Sequence, residues 1–349
     1  MKIVIRVDAN PDLGYGHISR CINLAKEFKN KFNCQIYFLM ASCDNFYTNK
    51  IKNQKFKINL INSSKFVGQK NDSLKSNKFL KELKPDLLIL DHYKLGIYWE
   101  NSVKKNVKKL LVIDDLKRKH NCNFFIDQNF SSLFKKKIFN KILNRNAKIL
   151  IGPKYSLIDK KYSILKNKKK KLKKTKNILI NFGSYDINNL TCKVLKYILT
   201  IKYFDYKIKI IVEKNFKFLQ MLQNLSKNNK SIKIYSNLNS LDQITFQSDI
   251  CFGAGGINNI ERICLEKINY VVSTSANQIE NCRTLNRKQY IFYIGHFSKI
   301  NNKTLKKKIS KIIFQNNKIK LIKRKISNLV DGKGSLRVVN FIAKEFKNE

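Results

Sequence analysis

Short runs of β-branched and aliphatic residues alternate along the chain with longer stretches in which apolar side chains recur every three or four positions. The runs fall at residues 2–7, 35–40, 87–90, 109–113, 124–126 and 149–151, each of a length suited to a buried strand. Between the first two, Ile18, Cys21, Ile22, Leu24, Ala25 and Phe28 form a stripe along one helical face. Strands alternating with helices predict a parallel sheet. The alternation then restarts, with runs at 177–181, 207–212, 231–235, 250–252, 270–273 and 290–294. We therefore expect an α/β fold of two Rossmann-like parallel-sheet domains facing a cleft. The first spans 1–159 and the second 177–349, joined by a Lys-rich linker at 160–176. Residues 331–335 read as a turn before a last helix over 336–347, which closes the second domain.

Length supports this division, since 349 residues suit two domains of ordinary α/β size. Charge changes the picture more. The chain carries 71 Lys+Arg against 24 Asp+Glu, a formal net charge of +47, and such an excess ordinarily marks a polyanion partner. Here it is mostly lysine scattered among Asn and Ile, with 3 Pro and 12 Gly, the usage of an A- and T-rich genome. No RNA-binding aromatic motif, zinc knuckle or helix-turn-helix accompanies it. Nucleic-acid binding is not expected; steering of an anionic substrate is. Arg6 and Asp8 break the opening apolar run, so it does not read as a secretory leader, and no apolar run approaches the roughly 20 residues of a spanning helix. These features predict a cytoplasmic protein without membrane insertion, and a monomer is expected. The 8 cysteines form no C-x-x-C pair and read as reduced core thiols.

The chemistry concentrates where predicted strands end. The first strand runs through Arg6 and Asp8 into a loop with Gly14 and Gly16, then directly into a helix that opens at His17 and carries Arg20. The N-terminal end of a helix offers free N–H groups and positive potential, which attract phosphate and favour an uncharged imidazole. A dinucleotide site fits poorly, because Ser19 replaces the third glycine of G-x-G-x-x-G and strand 35–40 does not end in a ribose-binding acid. A lone histidine is more often structural. The glycine loop, the charged neighbours and the place at a strand's carboxyl end favour catalysis. Asp91, His92 and Tyr93 follow strand 87–90 in the same way and are expected to face His17, and Asp114-Asp115 follow strand 109–113 without a third metal ligand at suitable spacing.

In the second half, Gly183, Ser184 and Asp186 lie in the loop after strand 177–181. Gly255 and Gly256 lead through Ile257 and Asn258 into a helix with Glu261 in its second turn. Backbone amides there can approach a pyrophosphate, and Glu261 is placed for ribose hydroxyls.

Together these motifs, with Asp127-Gln128-Asn129, Gly152-Pro153 and Ala276-Asn277-Gln278, resemble the PseG-type UDP-sugar hydrolases of pseudaminic acid biosynthesis over nearly the whole chain. That family is related to the MurG glycosyltransferase, so the resemblance implies a GT-B-like fold. It implies hydrolysis of UDP-2,4-diacetamido-2,4,6-trideoxy-β-L-altropyranose to UDP and the free sugar, with His17 as general base for the attacking water and no metal or cofactor. Arg6, Asp8, Gly14, Gly16, Arg20, Asp91, His92, Tyr93, Asn277 and Gln278 would then serve the substrate. Gly183, Ser184, Asp186, Gly255, Gly256, Ile257, Asn258 and Glu261 would serve the nucleotide. The chain departs from the family at Ser184-Tyr185 and at Ile257, where a small hydroxyl residue is usual. The rival reading is a GT-B glycosyltransferase, which passes the sugar to an acceptor. A MurG-like transferase needs a membrane-associating apolar patch, and the sequence shows none beside the His17 loop. A non-catalytic nucleotide-sugar or polyanion-binding protein is the remaining alternative.

Overall fold

A computed structural model of the chain describes residues 1–10, 14–61, 68–168, 176–183, 186, 188–201, 206–236, 238, 240–313 and 316–347, without the side chains of 310–319. The chain forms two compact units, Met1–Asp159 with Lys333–Glu349, and Lys160–Gly332.

The first unit contains the strands β1 (Lys2–Arg6), β2 (Gln35–Met40), β3 (Lys57–Leu60), β4 (Leu87–Leu90), β5 (Lys109–Ile113), β6 (Phe124–Asp127) and β7 (Lys148–Ile151). They pair in parallel in the order β3-β2-β1-β4-β5-β6-β7. The period-2 alternation of β1 sends Ile3, Ile5 and Val7 to one face and Val4 to the other. On the first face the helix Gly16–Lys31 buries Ile18, Cys21, Ile22 and Phe28, the stripe seen in the sequence. The other face is covered partly by Leu80, Trp99 and Val103, from the helices Gln69–Leu83 and Ile97–Val103.

The second unit repeats the plan with β8 (Lys176–Asn181), β9 (Tyr206–Val212), β10 (Ile232–Ser236), β11 (Ile250–Ala254), β12 (Ile268–Ser273) and β13 (Phe292–His296). Their order is β10-β9-β8-β11-β12-β13, again parallel. In each sheet the direction of winding reverses beside the first strand, between β1 and β4 and between β8 and β11. Loops at the carboxyl ends of such a pair diverge and leave a crevice, the usual ligand position in open α/β sheets.

Two expectations about domain limits need correction. The Lys-rich stretch 160–176 is not wholly a linker. It opens with a helix, Lys160–Lys166, that buries Tyr162 and Leu165 and packs on the helices Asp242–Gln247 and Ile257–Cys264; residues 169–175 lie outside the described residues. Tyr162 and Leu165 are spaced by one helical turn, and that short apolar face outweighs the surrounding lysines. The last helix, Gly334–Lys347, belongs to the first unit and not to the second. Val338, Val339 and Ile342 join the core beside the helix Gly16–Lys31, and each such burial contributes about 1.5–3 kcal/mol. Gly334 is required at its start, because a Cβ there would collide with the backbone of Tyr155 and Ser156. All 8 cysteines are free thiols, and only Cys43 is not buried.

Candidate active site

His17 is the second residue of the helix Gly16–Lys31, which starts without a side-chain cap and without an acid in its first turn. Before it, the Gly14 amide donates to the Asn10 carbonyl at 3.0 Å. Gly14 has φ +74°, a conformation that favours glycine. Since β1 and β4 are neighbours, with Arg6 opposite Leu90, the loop after β4 comes up beside this helix.

That register puts Asp91 against His17. The His17 Nδ1 lies 2.5 Å from Asp91 Oδ1, and Arg20, one turn on, grips the same carboxylate through Nε at 2.6 Å and Nη2 at 2.5 Å. Burial alone would raise the Asp91 carboxyl, but the Arg20 guanidinium and then His17 hold it well below the usual carboxylate range. An ionised Asp91 accepts the proton of Nδ1 and leaves the Nε2 lone pair of His17 free. The His17 side chain is 10% exposed, and nothing among the described residues bonds its Nε2. Tyr93 stands edge-on to the imidazole, with ring centroids 4.3 Å apart and planes at 87°. The Tyr93 hydroxyl donates to Asp115 at 2.7 Å, and Arg118 donates to its carbonyl at 2.5 Å. Asn129, after β6, donates to the same Asp115 at 3.2 Å.

His92 has a different fate. Its Nδ1 accepts the Lys94 amide at 3.1 Å, which places its proton on Nε2, 3.0 Å from Asp8 Oδ2. Burial lowers its pKa despite Asp8, so it sits as a neutral ring with both nitrogens engaged. Asp8 also takes Arg6 at 2.6 Å and the Ala41 amide at 2.7 Å. Arg6 is wholly buried and bridges Asp8 to Asp72, whose carboxylate further accepts the Trp99 indole at 2.7 Å. Arg6, Asp8 and His92 thus form a floor beneath the His17–Asp91 pair. Asp72, Trp99 and Arg118 escaped sequence reading. Asp72 sits in a mostly polar helix with no motif around it, and Arg118 is one basic residue among many.

Another buried cation is linked to this floor through Asp114 and Arg118, which donates to the His92 carbonyl. His120 lies between Glu100, at 2.6 Å, and Asp114, at 3.5 Å, while Asp114 also binds Arg118. Burial would lower the His120 pKa, but the two carboxylates push it up from 6.5 to about 9. Its stabilising effect is therefore fully present below pH 6.5 and is lost as pH rises through about 9. We expect Tm to fall across that window in a stepped-pH melting series, and His120→Gln to flatten the fall. A wild-type Tm that holds steady from pH 6.5 to 9 would refute this.

In the second unit the end of β8 meets the helix that follows β11. Asn258 donates to the Asn181 side chain at 3.2 Å. Gly256 opens the helix Ile257–Cys264, which has no acid in its first turn; Ile257, Asn258 and Glu261 are all partly exposed. Gln278 lies over the turn: its amide would be 3.2 Å from a Cβ on Gly255 and 3.6 Å from one on Gly256. Asn277 accepts from Ser275 at 2.6 Å at the start of the helix Ala276–Arg287, which also carries Gln278. Gly183 has φ +91° with open space around it. Asp186 accepts the Leu190 and Thr191 amides at 2.7 and 2.6 Å at the start of the helix Leu190–Ile198. Ser184, and Tyr185 beside it, lie outside the described residues.

No family model matches the chain. It is 30% identical over 275 residues to an uncharacterized protein of Methanocaldococcus jannaschii, a match that takes in 76% of this chain but only 54% of that protein. It is 22% identical over 292 residues to the UDP-2,4-diacetamido-2,4,6-trideoxy-beta-L-altropyranose hydrolase of Campylobacter jejuni, covering 83% of this chain and 98% of the hydrolase. The fold is GT-B-like. MurG of Acinetobacter baumannii superposes with a TM-score of 0.66 at 14% identity, over 99% of this chain and 100% of MurG. The MnaA–UDP structure from S. aureus does so with 0.69 at 13% identity, over 99% and 97%. Among the described residues no helix is long and apolar enough to cross a membrane.

Proposed function

We propose that the chain hydrolyses a UDP-sugar, UDP-2,4-diacetamido-2,4,6-trideoxy-β-L-altropyranose, to UDP and the free sugar. The observation that carries this reading is the His17–Asp91 pair at a sheet switch point, in a chain similar to a hydrolase of that substrate over 98% of the hydrolase's length. A water molecule attacks the anomeric carbon as the bond to the UDP oxygen breaks, and its proton passes to His17 Nε2. Asp91 stabilises the imidazolium that forms. Diphosphate is already a good leaving group, so activating and placing the water is the main demand. Amides at Gly255, Gly256 and Ile257 serve the departing diphosphate, Asn258 and Gln278 flank it, and Glu261 serves the ribose.

A transferase reading has one observation in its favour. Beside the His17 helix, Tyr15 stacks on Tyr47 at 4.8 Å, Phe46 packs edge-on against Tyr47 and is 44% exposed, and Lys50 lies over both Phe46 and Tyr47. This aromatic group, not apparent in the sequence, suits an acceptor sugar. The two readings separate when the purified chain is mixed with the UDP-sugar and no acceptor. We expect UDP and free sugar in equal amounts; UDP that appears only after an acceptor is added would establish transfer instead.

A further inference from the structure

Arg262 is the sixth residue of the helix Ile257–Cys264 and is only 2% exposed. Its Nε donates to the Asn258 carbonyl at 3.0 Å and its Nη2 to the Ala254 carbonyl at 3.4 Å. Among the described residues Nη1 has no hydrogen-bond partner and no carboxylate pairs with the guanidinium. Arg6 and Arg20, the other deeply buried arginines discussed above, are each neutralised by aspartate. Leaving a guanidinium inside a protein without a counter-charge is unfavourable, and burial accordingly lowers its pKa.

Its position says where a counter-charge belongs. A Cβ on Gly253 would strike both terminal nitrogens of Arg262 and the Asn181 carbonyl. The absence of a side chain at 253 therefore lets the cation lie directly behind the turn Gly253–Gly256. In front of that turn begins a helix with no acid in its first turn and no side-chain cap. Helix end, glycine turn and buried cation add their positive potentials at one place.

We propose that Arg262 is the buried counter-charge for the diphosphate of the nucleotide held on the Gly253–Gly256 turn. It is a positioning residue, screened from the ligand by the turn. Binding brings the anion that the apo protein lacks, so part of the affinity for diphosphate is relief of the uncompensated guanidinium. This inference rests on the nucleotide-sugar reading above.

The test compares Arg262→Lys, which keeps the charge, with Arg262→Gln, which removes it, both losing the guanidinium's paired hydrogen bonds. Titration calorimetry with UDP, pyrophosphate and uridine is run on the full chain, with melting of each apo form. A unit charge separated from a diphosphate by one turn of backbone predicts a loss of about 10- to 30-fold in UDP and pyrophosphate affinity for Gln. The Lys variant should stay within about threefold of wild type, uridine affinity should be equal in all three, and apo Arg262→Gln should melt at or above Arg262→Lys. Equal losses in Lys and Gln, or a parallel loss of uridine binding, would overturn the proposal. So would a Gln variant too unstable to purify, with or without a folded Lys variant, since the fold would then need the arginine without any ligand. If the wild type binds neither UDP nor pyrophosphate, the nucleotide-sugar reading itself fails. If it binds both and Gln binds them equally, only the role of Arg262 fails.

Discussion

His17→Ala should abolish UDP release, lowering kcat by about 10²–10⁴-fold, the usual contribution of a positioned general base. The substitution removes the nitrogen whose lone pair is free while Asp91 engages the other. Asp91 remains paired with Arg20 through two bonds, so the floor of the site stays charge-balanced and the variant should fold. UDP affinity should change by less than about threefold, because the nucleotide contacts we propose lie in the second unit. Turnover measured at saturating UDP-sugar, beside calorimetric UDP affinity, separates the two effects. A variant that keeps kcat within tenfold of wild type would show that another group takes the proton.

Asp91→Asn is expected to do two things at once. The carboxylate accepts His17 at 2.5 Å and Arg20 at 2.6 and 2.5 Å in a fully buried position. A neutral amide leaves the Arg20 guanidinium buried and uncompensated, a loss of about 3–5 kcal/mol. Its one carbonyl oxygen must also serve two donors. Arg20 claims it, the amide nitrogen turns toward His17, and the imidazole proton moves to Nε2, where it blocks proton uptake. A kcat loss on the order of 10³–10⁴-fold follows, beyond what destabilisation alone gives in the surviving folded fraction. The carboxyl of Asp91 is held below its ordinary 3.8, so the wild-type pair is stabilising above that pH and loses its effect only as pH falls through the depressed value. Asp91→Asn should lack this acid-side dependence. A variant that melts like wild type and turns over within tenfold of it would remove Asp91 from both roles.

Much of this was legible in the sequence because parallel strands announce their carboxyl ends. Apolar runs 2–7 and 87–90 each stop at charged residues, so His17 and Asp91 could be expected on one edge of a sheet, although only the pairing of β1 with β4 makes them partners. β3 was missed: Lys57–Leu60 is an edge strand of four residues in which none is buried, too short and too polar for a periodic signal. The residues that hold Arg6 from behind the floor, Asp72 and Trp99, were missed for another reason. Arg6, Asp72 and Trp99 are far apart in sequence and meet only through tertiary packing, which no local pattern encodes. Asp186 has a structural task that sequence reading did not weigh, since its carboxylate accepts two amides at the start of the helix Leu190–Ile198.

The return of the helix Gly334–Lys347 to the first unit has a consequence for how the chain is made. A ribosome releases the first 159 residues early, yet the helix that completes their core emerges only after the whole second unit has been synthesised. At about 5–20 residues per second, that interval lasts many seconds, during which the side of the helix Gly16–Lys31 that packs on the last helix waits uncovered. The second unit is continuous in sequence and can finish first. The unit that carries His17 is begun first and completed last.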